Sequence, residues 1–139
     1  MSNIDVIENK ISAIRRYLGL LESYKHYGAK ELASDPTVRG AVERYLYLVA
    51  QAAIDLAEAV IAFKNLRKPT TLGESFDILE EADIIPGALK ENLVKMVGFR
   101  NILAHDYGEI DYKIVVDVLR NRLGDIEQFV EKVKSILFG

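Results

Sequence analysis

The sequence predicts an all-α protein, folded as an up-and-down bundle of four long helices and one short helix. Three observations support this prediction. Apolar residues recur at spacings of three and four along most of the 139 residues, which is the helical period. Glycine and proline interrupt that pattern at only a few points. No segment alternates apolar and polar residues as a strand does, and short connections between long amphipathic helices favour a bundle.

A single domain is expected to span residues 1–139. Half of the residues are hydrophobic, which is enough to bury a core and argues against disorder. No linker, repeat or low-complexity tract divides the chain, and its length suits one core.

The first helix is predicted from a narrow row of apolar residues, called here its seam, and the second from an N-cap. The first helix should stop near Gly28. The second should begin at Asp35-Pro36, an N-cap followed by proline in the first turn. It should reach about Asn65, where residues 67–70 break the pattern. The seam of the first helix consists of Ile4, Ile7, Ile11, Ile14, Leu18 and Leu21.

Turn signals also divide the second half of the chain. Thr71-x-x-Glu74 has the spacing of a capping box and predicts a short third helix. Pro86 opens a fourth helix that should reach His105, and Gly108 should end that stretch. A fifth helix follows, with Asp111 as its candidate N-cap and an apolar stripe of Ile114, Val118, Leu119, Leu123, Ile126, Val130, Val133 and Leu137.

The second helix is apolar on two nearly opposite sides. Such a helix lies either at the centre of a bundle or at a subunit interface, and the sequence leaves both positions open. One stripe consists of Tyr45, Val49, Ala52, Leu56 and Phe63, and the other of Tyr47, Ile54 and Ile61. The narrow polar strip between them carries Arg44, Gln51, Asp55 and Glu58.

Composition excludes several classes of function. The net charge of −3 argues against a broad nucleic-acid-coating surface but not against a small cationic site. The absence of cysteine excludes disulfides and thiolate metal sites and fits a reducing cytosol. The N-terminus lacks the pattern of a signal peptide, and no uncharged run approaches the roughly 20 residues that span a bilayer. We therefore expect a cytoplasmic protein without a membrane partner.

Metal and cofactor sites are not expected. The chain has only two histidines, and no His-x3-His or Glu-x2-His pair is present. His26 falls at a predicted helix end among tyrosines. A capping or solvent-exposed role is expected for it, and the alternative is that this aromatic cluster stacks nucleobases.

The candidate site lies at the end of the fourth helix. Arg100, Asn101, His105 and Tyr107 put a guanidinium, a carboxamide, an imidazole and a phenol within eight residues. The guanidinium is a fixed fork of donors that suits phosphate, and histidine can move a proton near neutral pH. This combination suits phosphodiester chemistry without a metal.

Arg100 is also out of place in its helix. A charge inside an apolar stripe is costly unless it is paired or reaches a cleft. The alternative to a cleft is a structural role, with Arg100 snorkelling or paired to Asp55 or Glu58. Asn101 and His105, four apart, share a different face. A histidine at a helix end can also act simply as a cap. The stripe around Arg100 consists of Leu89, Leu93, Met96 and Leu103.

The pattern Arg100-x4-His105-x-Tyr107, with Asn101 after the arginine, closely resembles the motif of HEPN-domain ribonuclease toxins, the HepT-like family. The resemblance extends over nearly the whole chain. It includes residues 43–56 of the second helix and residues 74–76 and 84–86 further on.

This resemblance implies a HEPN fold, usually a homodimer whose two motif helices face each other across a cleft. It also implies a metal-independent endoribonuclease in which a ribose 2′-OH attacks its own phosphate. His105 would be general base or acid, and Arg100 would stabilise the scissile phosphate. Asn101 would orient His105 or the phosphate, and Tyr107 would contact the RNA.

Members of the family are commonly toxins of type VII-like toxin–antitoxin systems. The resemblance implies a partner, a minimal nucleotidyltransferase antitoxin of the MntA type, that would silence the toxin by transferring AMP to Tyr107. Two alternatives remain at this stage. One is a non-catalytic HEPN module that binds nucleotide, RNA or the partner. The other is a purely structural helical interaction protein.

Overall fold

The computed structural model describes residues 3–105 and 110–138, and within these ranges the protein is entirely helical. The final helix is continuous, because a π-helical turn, Val118–Arg122, joins its two α-helical parts. The all-α prediction is confirmed. The α-helical segments are α1 (Asn3–Glu22), α2 (Ala29–Ser34), α3 (Pro36–Phe63), α4 (Glu74–Glu81), α5 (Gly87–His105), α6 (Tyr112–Asp117) and α7 (Leu123–Phe138).

Helix α3 lies at the centre of the bundle and packs against α1, α2, α4, α5 and α7. Both of its apolar sides are buried within the single chain: Val49 and Leu56 on one, Ile54 and Ile61 on the other. The two-sided pattern is therefore explained by a central position and gives no evidence for a subunit interface. Among the described helices, α3 is long and apolar enough to cross a membrane, but 56% of that apolar stretch is buried inside the bundle, as in a core helix.

The cap predicted for α3 is confirmed. The Asp35 carboxylate accepts hydrogen bonds from the backbone N–H groups of Thr37 and Val38, at 3.1 and 3.2 Å, which satisfies donors that the first helical turn leaves free. The helix ends at Phe63, two residues earlier than predicted. Asn65 then adopts a φ of 53°, a left-handed conformation that stops a helix and that asparagine tolerates.

Helix α4 begins at Glu74, but its capping box is shifted by one residue. The Glu74 N–H donates to Thr71 Oγ1 at 3.2 Å. The Glu74 carboxylate, however, accepts from the N–H of Thr70 at 3.1 Å instead of that of Thr71. Arg67 also binds this carboxylate, at 2.8 Å, and reaches Glu81 at 2.8 Å. The three charged side chains form a clamp that fixes the preceding loop on α4.

The short helix α2 was not predicted, so the described ranges contain six separate helices instead of five. Within it only Leu32 is buried, and one apolar contact is too little to show a period. Its start is fixed by the N–H of Gly28, which donates to the Glu31 carboxylate at 3.1 Å.

The π-helical turn was not predicted either. It places two consecutive residues, Val118 and Leu119, in the core. On its outer side Arg120 donates to the backbone carbonyls of Lys25 and Tyr27, both at 2.9 Å. The turn therefore holds the loop between α1 and α2 in place.

The remaining predicted helix starts are confirmed. Helix α5 begins directly after Pro86, whose carbonyl accepts the N–H of Lys90. Asp111 caps α6 by accepting the N–H of Lys113 at 2.9 Å. The predicted stop at Gly108 lies outside the described residues.

Candidate active site

Arg100 is half-buried on α5 and is held by three neutral acceptors. Its Nε donates to Gln51 Oε1 at 2.8 Å. One terminal nitrogen donates to the Tyr47 hydroxyl at 3.2 Å, and the other donates to Asn101 Oδ1 at 2.9 Å. Two of these acceptors lie on α3, so the arginine is fixed against the central helix.

No ion pair offsets the positive charge of Arg100 within the described residues. Neither Asp55 nor Glu58, the carboxylates considered as structural partners, lies within ion-pair distance of Arg100, and no other acidic group does so within residues 3–105 and 110–138. A neutral acceptor positions a cation without cancelling its field. Arg100 can therefore offer both orientation and charge to an anion such as phosphate.

A second layer fixes Gln51 in turn. Its Nε2 donates to Asp55 Oδ1 at 2.9 Å, and the other oxygen of Asp55 pairs with Lys10 Nζ at 3.5 Å. Because the amide nitrogen is committed to Asp55, the amide oxygen faces Arg100, and the orientation of the amide follows from the network. The ion pair with Lys10 thus offsets part of the negative charge of Asp55, which lies on the far side of Gln51 from the guanidinium.

Tyr47 adds an aromatic contact to the same site. The guanidinium carbon of Arg100 lies 5.1 Å from the centroid of its ring, and that of Arg44 lies 5.8 Å away. Both distances are within cation–π range. Neither Tyr47 nor Gln51 was predicted from the sequence to belong to the site. The available signal was the four-residue spacing of Tyr47, Gln51 and Asp55 along one face of α3.

The other predicted site residues lie on the outer side of α5. Asn101 and His105 are both exposed, and His105 is the last residue of the helix. Asn101 is hydrogen-bonded to Arg100, so the structure brings these two together directly. Tyr107 lies outside the described residues. His26 is exposed in the loop after α1, with its ring 4.1 Å from that of Tyr27.

A groove with a volume of about 410 Å³ runs between α3 and α5, next to Tyr47. Tyr47 belongs both to its lining and to the contacts of Arg100. Burial raises the pKa of the Glu43 carboxyl in this groove, and the positive charge of Arg39 opposes the shift. The lining residues are Gly40, Glu43, Arg44, Tyr47, Leu103 and Ala104.

Metal-binding groups do not gather in the described parts of the chain. Within them, no cluster of three or more His, Cys, Asp or Glu side chains is arranged to hold a metal ion.

Comparison with known proteins gives a consistent result. A family model described as ribonuclease HepT-like matches residues 14–133. The mRNA nuclease HepT of Shewanella oneidensis is 35% identical over 131 residues, covering 94% of this chain and 98% of the relative. The tRNA nuclease HepT of Aphanizomenon flos-aquae is 29% identical over 139 residues, covering 99% of this chain and 95% of the relative.

Solved structures agree with these relatives. One is a crystal structure of a toxin–antitoxin complex with AMP-PNP, with a TM-score of 0.86 and 34% identity over 94% of this chain and 98% of the other. Another is the tri-AMPylated HEPN toxin of Shewanella oneidensis in complex with its MNT antitoxin, also with a TM-score of 0.86 and 34% identity, over 97% of this chain and 99% of the other. The family match over residues 14–133, together with the shared HEPN fold, shows that this chain belongs to the HepT-like family of ribonucleases.

Proposed function

We propose that this protein is the toxin of a type VII-like toxin–antitoxin system, and that it cleaves RNA in the cytoplasm without a metal ion. The observation that carries the proposal is Arg100, half-buried on α5 and held by neutral acceptors, five residues before His105. A guanidinium with no ion pair among the described residues, on the same helix as an exposed imidazole, suits the charge and proton transfers of phosphodiester cleavage.

The proposed reaction is an internal transesterification. A base removes the proton of the ribose 2′-OH, and the 2′ oxygen forms a bond to the adjacent phosphorus. The bond from phosphorus to the 5′ oxygen breaks, and that oxygen takes up a proton from an acid. The products are a 2′,3′-cyclic phosphate and a 5′-hydroxyl end. His105 serves as base or acid, Arg100 stabilises the negative charge on the non-bridging oxygens, and Asn101 orients the phosphate or His105.

A homodimer is part of the proposal, because the reaction needs both a base and an acid and each chain offers one histidine in the motif. The outer face of α5 supports this assembly. Ile102 on that face is 44% exposed, and a side chain added at Gly98 would meet nothing within 4 Å. Two copies packed through this face would place their two motif helices, and with them two His105 side chains, side by side. Ile102→Asp should then convert a dimer into a monomer in light scattering, with RNA cleavage lost in parallel.

Cleavage by the purified chain is the direct test. It should persist in EDTA and leave 2′,3′-cyclic phosphate ends. His105→Ala should reduce the rate by at least about 10²-fold, the scale of general acid–base catalysis, and Arg100→Ala should do likewise through lost charge stabilisation. His26→Ala and Arg16→Ala are the matched controls and should leave the rate unchanged. Cleavage that survives His105→Ala contradicts the scheme, and RNA binding without cleavage supports the non-catalytic alternative.

Control by a partner completes the proposal. The similar complexes contain an MNT antitoxin, and one holds a tri-AMPylated toxin. We infer that an MntA-type nucleotidyltransferase modifies Tyr107: its phenol oxygen attacks the α-phosphorus of ATP, pyrophosphate leaves, and a tyrosyl phosphodiester forms. The added nucleotide and its negative charge would compete with RNA phosphates. Co-expression with an MntA-type nucleotidyltransferase should add AMP masses that are absent in Tyr107→Phe and present in Tyr112→Phe.

A further inference from the structure

The groove between α3 and α5 is not used by the chemistry proposed above, although it adjoins the phosphate-binding arginine. Tyr47 is shared, since its hydroxyl accepts from Arg100 while its side chain lines the groove. Leu103 and Ala104 form the α5 side and lie within the segment between Arg100 and His105. A group bound in the groove would therefore lie next to a phosphate held by Arg100.

Glu43 is the unusual side chain of this groove. It is half-buried, and burial raises its pKa while the charge of Arg39 opposes the shift. Within residues 3–105 and 110–138 it has no hydrogen bond or ion pair from another side chain. A partly dehydrated carboxyl group that has no hydrogen bond from the described side chains costs free energy, and titratable groups of this kind in a cleft mark candidate functional positions.

The neighbours of Glu43 suit a nucleobase. Tyr47 offers an aromatic ring, and proteins hold unpaired RNA bases by stacking them on aromatic side chains. Leu103 and Ala104 add apolar surface under a flat ring. The volume of about 410 Å³ is ample for one base.

We propose that this groove binds the nucleobase beside the scissile phosphate and that Glu43 selects guanine. The inference rests on the proposed ribonuclease function. A carboxylate presents two acceptors side by side. Guanine alone among the four RNA bases presents two adjacent donors, N1–H and the 2-amino group, on its pairing edge. Adenine and cytosine offer one amino donor beside an acceptor nitrogen, and uracil offers one N–H between two carbonyls that a carboxylate repels.

Arg44 strengthens the same preference. Guanine O6 lies next to N1 on the pairing edge, and an arginine donating to guanine O6 is the commonest specific contact to this base. Arg44 lines the same groove, so a carboxylate and a guanidinium are both available there to a single ligand. That combination matches guanine and none of the other three bases.

Cleavage-site mapping on an RNA library with randomised bases tests the proposal. The wild-type protein should cut with guanine at one fixed position beside the scissile bond, preferred about 10-fold or more, the scale of one good base contact. Glu43→Gln should abolish this preference or move it to adenine, because an amide carries one donor and one acceptor, while cleavage at adenine persists. Glu58→Gln is the matched control. Glu58 is exposed on the same helix, about 22 Å further along its axis, and its substitution should leave the preference unchanged.

The outcomes separate this inference from the ribonuclease proposal. If the wild-type protein cuts RNA with no base preference, the guanine subsite is wrong and the proposed function stands. An equal loss of cleavage at all four bases in Glu43→Gln also overturns the subsite. If the wild-type protein cuts no RNA, the proposed function fails, and calorimetric titration with GMP and AMP decides the inference. Binding of GMP that is lost in Glu43→Gln supports it, whereas equal binding of both nucleotides, or of neither, overturns it.

Discussion

Arg100 and Gln51 lie 49 positions apart in the chain, yet a hydrogen bond of 2.8 Å joins Nε of the arginine to the amide oxygen of the glutamine. The acceptor is neutral, and its own orientation is set by Asp55 at 2.9 Å. The arrangement fixes the direction of the guanidinium while leaving its positive charge available. Gln51 is thus a positioning residue whose chemistry matters as much as its shape.

The first prediction concerns that neutrality. Gln51→Glu should reduce RNA cleavage by up to about 10²-fold, the scale of losing one electrostatic stabilising group, because a carboxylate would pair with Arg100 and cancel the charge proposed to act on phosphate. The loss should appear mainly as a lower kcat, because Arg100 is proposed to stabilise charge that develops during the reaction, with the thermal unfolding midpoint unchanged or raised. Gln128→Glu, the other glutamine of the chain, is the control. Full activity in Gln51→Glu would show that the neutral acceptor is irrelevant.

The second prediction separates the hydroxyl of Tyr47 from its ring. Tyr47→Phe removes the hydrogen bond to Arg100 but keeps the cation–π contact, so cleavage should fall by about 5-fold, corresponding to one ordinary hydrogen bond. Tyr47→Ala removes both contacts and should cost about 10-fold more, the scale of a partly desolvated cation–π pair. The measurement is kcat/KM on an RNA oligonucleotide. Tyr17, whose ring lies 5.1 Å from the Arg16 guanidinium on α1, provides the control pair, and identical losses in Tyr47→Phe and Tyr47→Ala would refute the role of the ring.

The third prediction uses the pH dependence of stability at Glu43. Burial raises the pKa of this carboxyl in the folded protein above its ordinary value of 4.5. Below pH 4.5 the carboxyl is protonated in both the folded and the unfolded state, and its burial costs no stability. As pH rises through the folded pKa the group becomes charged, and the folded state loses stability relative to the unfolded state. Glu43→Gln should raise the unfolding midpoint relative to wild type at about pH 7 and have little effect near pH 4. A difference that is constant over this range would show that Glu43 is not desolvated.

The fourth prediction concerns the clamp on α4, where the sign is opposite. The hydrogen bond from Arg67 lowers the pKa of Glu81, and the backbone N–H of Thr70, followed by Arg67, lowers that of Glu74. The stabilisation is present above the ordinary pKa of 4.5 and is lost as pH falls through the lowered values. Arg67→Met should therefore lower the unfolding midpoint at neutral pH, and the difference from wild type should vanish near pH 3.

Calorimetric scans of both proteins across this range measure the effect. Arg15→Met is the matched control, because Arg15 also contacts a glutamate on the surface, at 3.3 Å, and has no second carboxylate among the residues that the structure describes. A difference between Arg67→Met and wild type that persists undiminished in acid would mean that the clamp contributes through packing and not through charge.

The sequence alone determined the helical class, most of the helix starts and the position of the motif. These features are local. Asp35 caps the helix that begins one residue later, and Asp111 caps the helix that follows it. The misfit of Arg100 in an apolar stripe was likewise visible from the period of one helix, because a period depends only on neighbours along the chain.

Tertiary structure decided what surrounds Arg100. Tyr47 and Gln51 are 53 and 49 positions away from it, and only the packing of α5 against α3 brings them within hydrogen-bond distance. The same packing resolved the two-sided apolar pattern of α3 in favour of the bundle centre. The short helix α2 and the π-helical turn were not predicted for a related reason, because each is too short to show a period. Contacts between distant parts of the chain hold them, such as the hydrogen bonds from Arg120 to the carbonyls of Lys25 and Tyr27. The period of a sequence shows which face of a helix is apolar. It does not show which helix will pack against that face or whether a charged side chain on it will find an ion-pair partner, because both depend on how the helices pack.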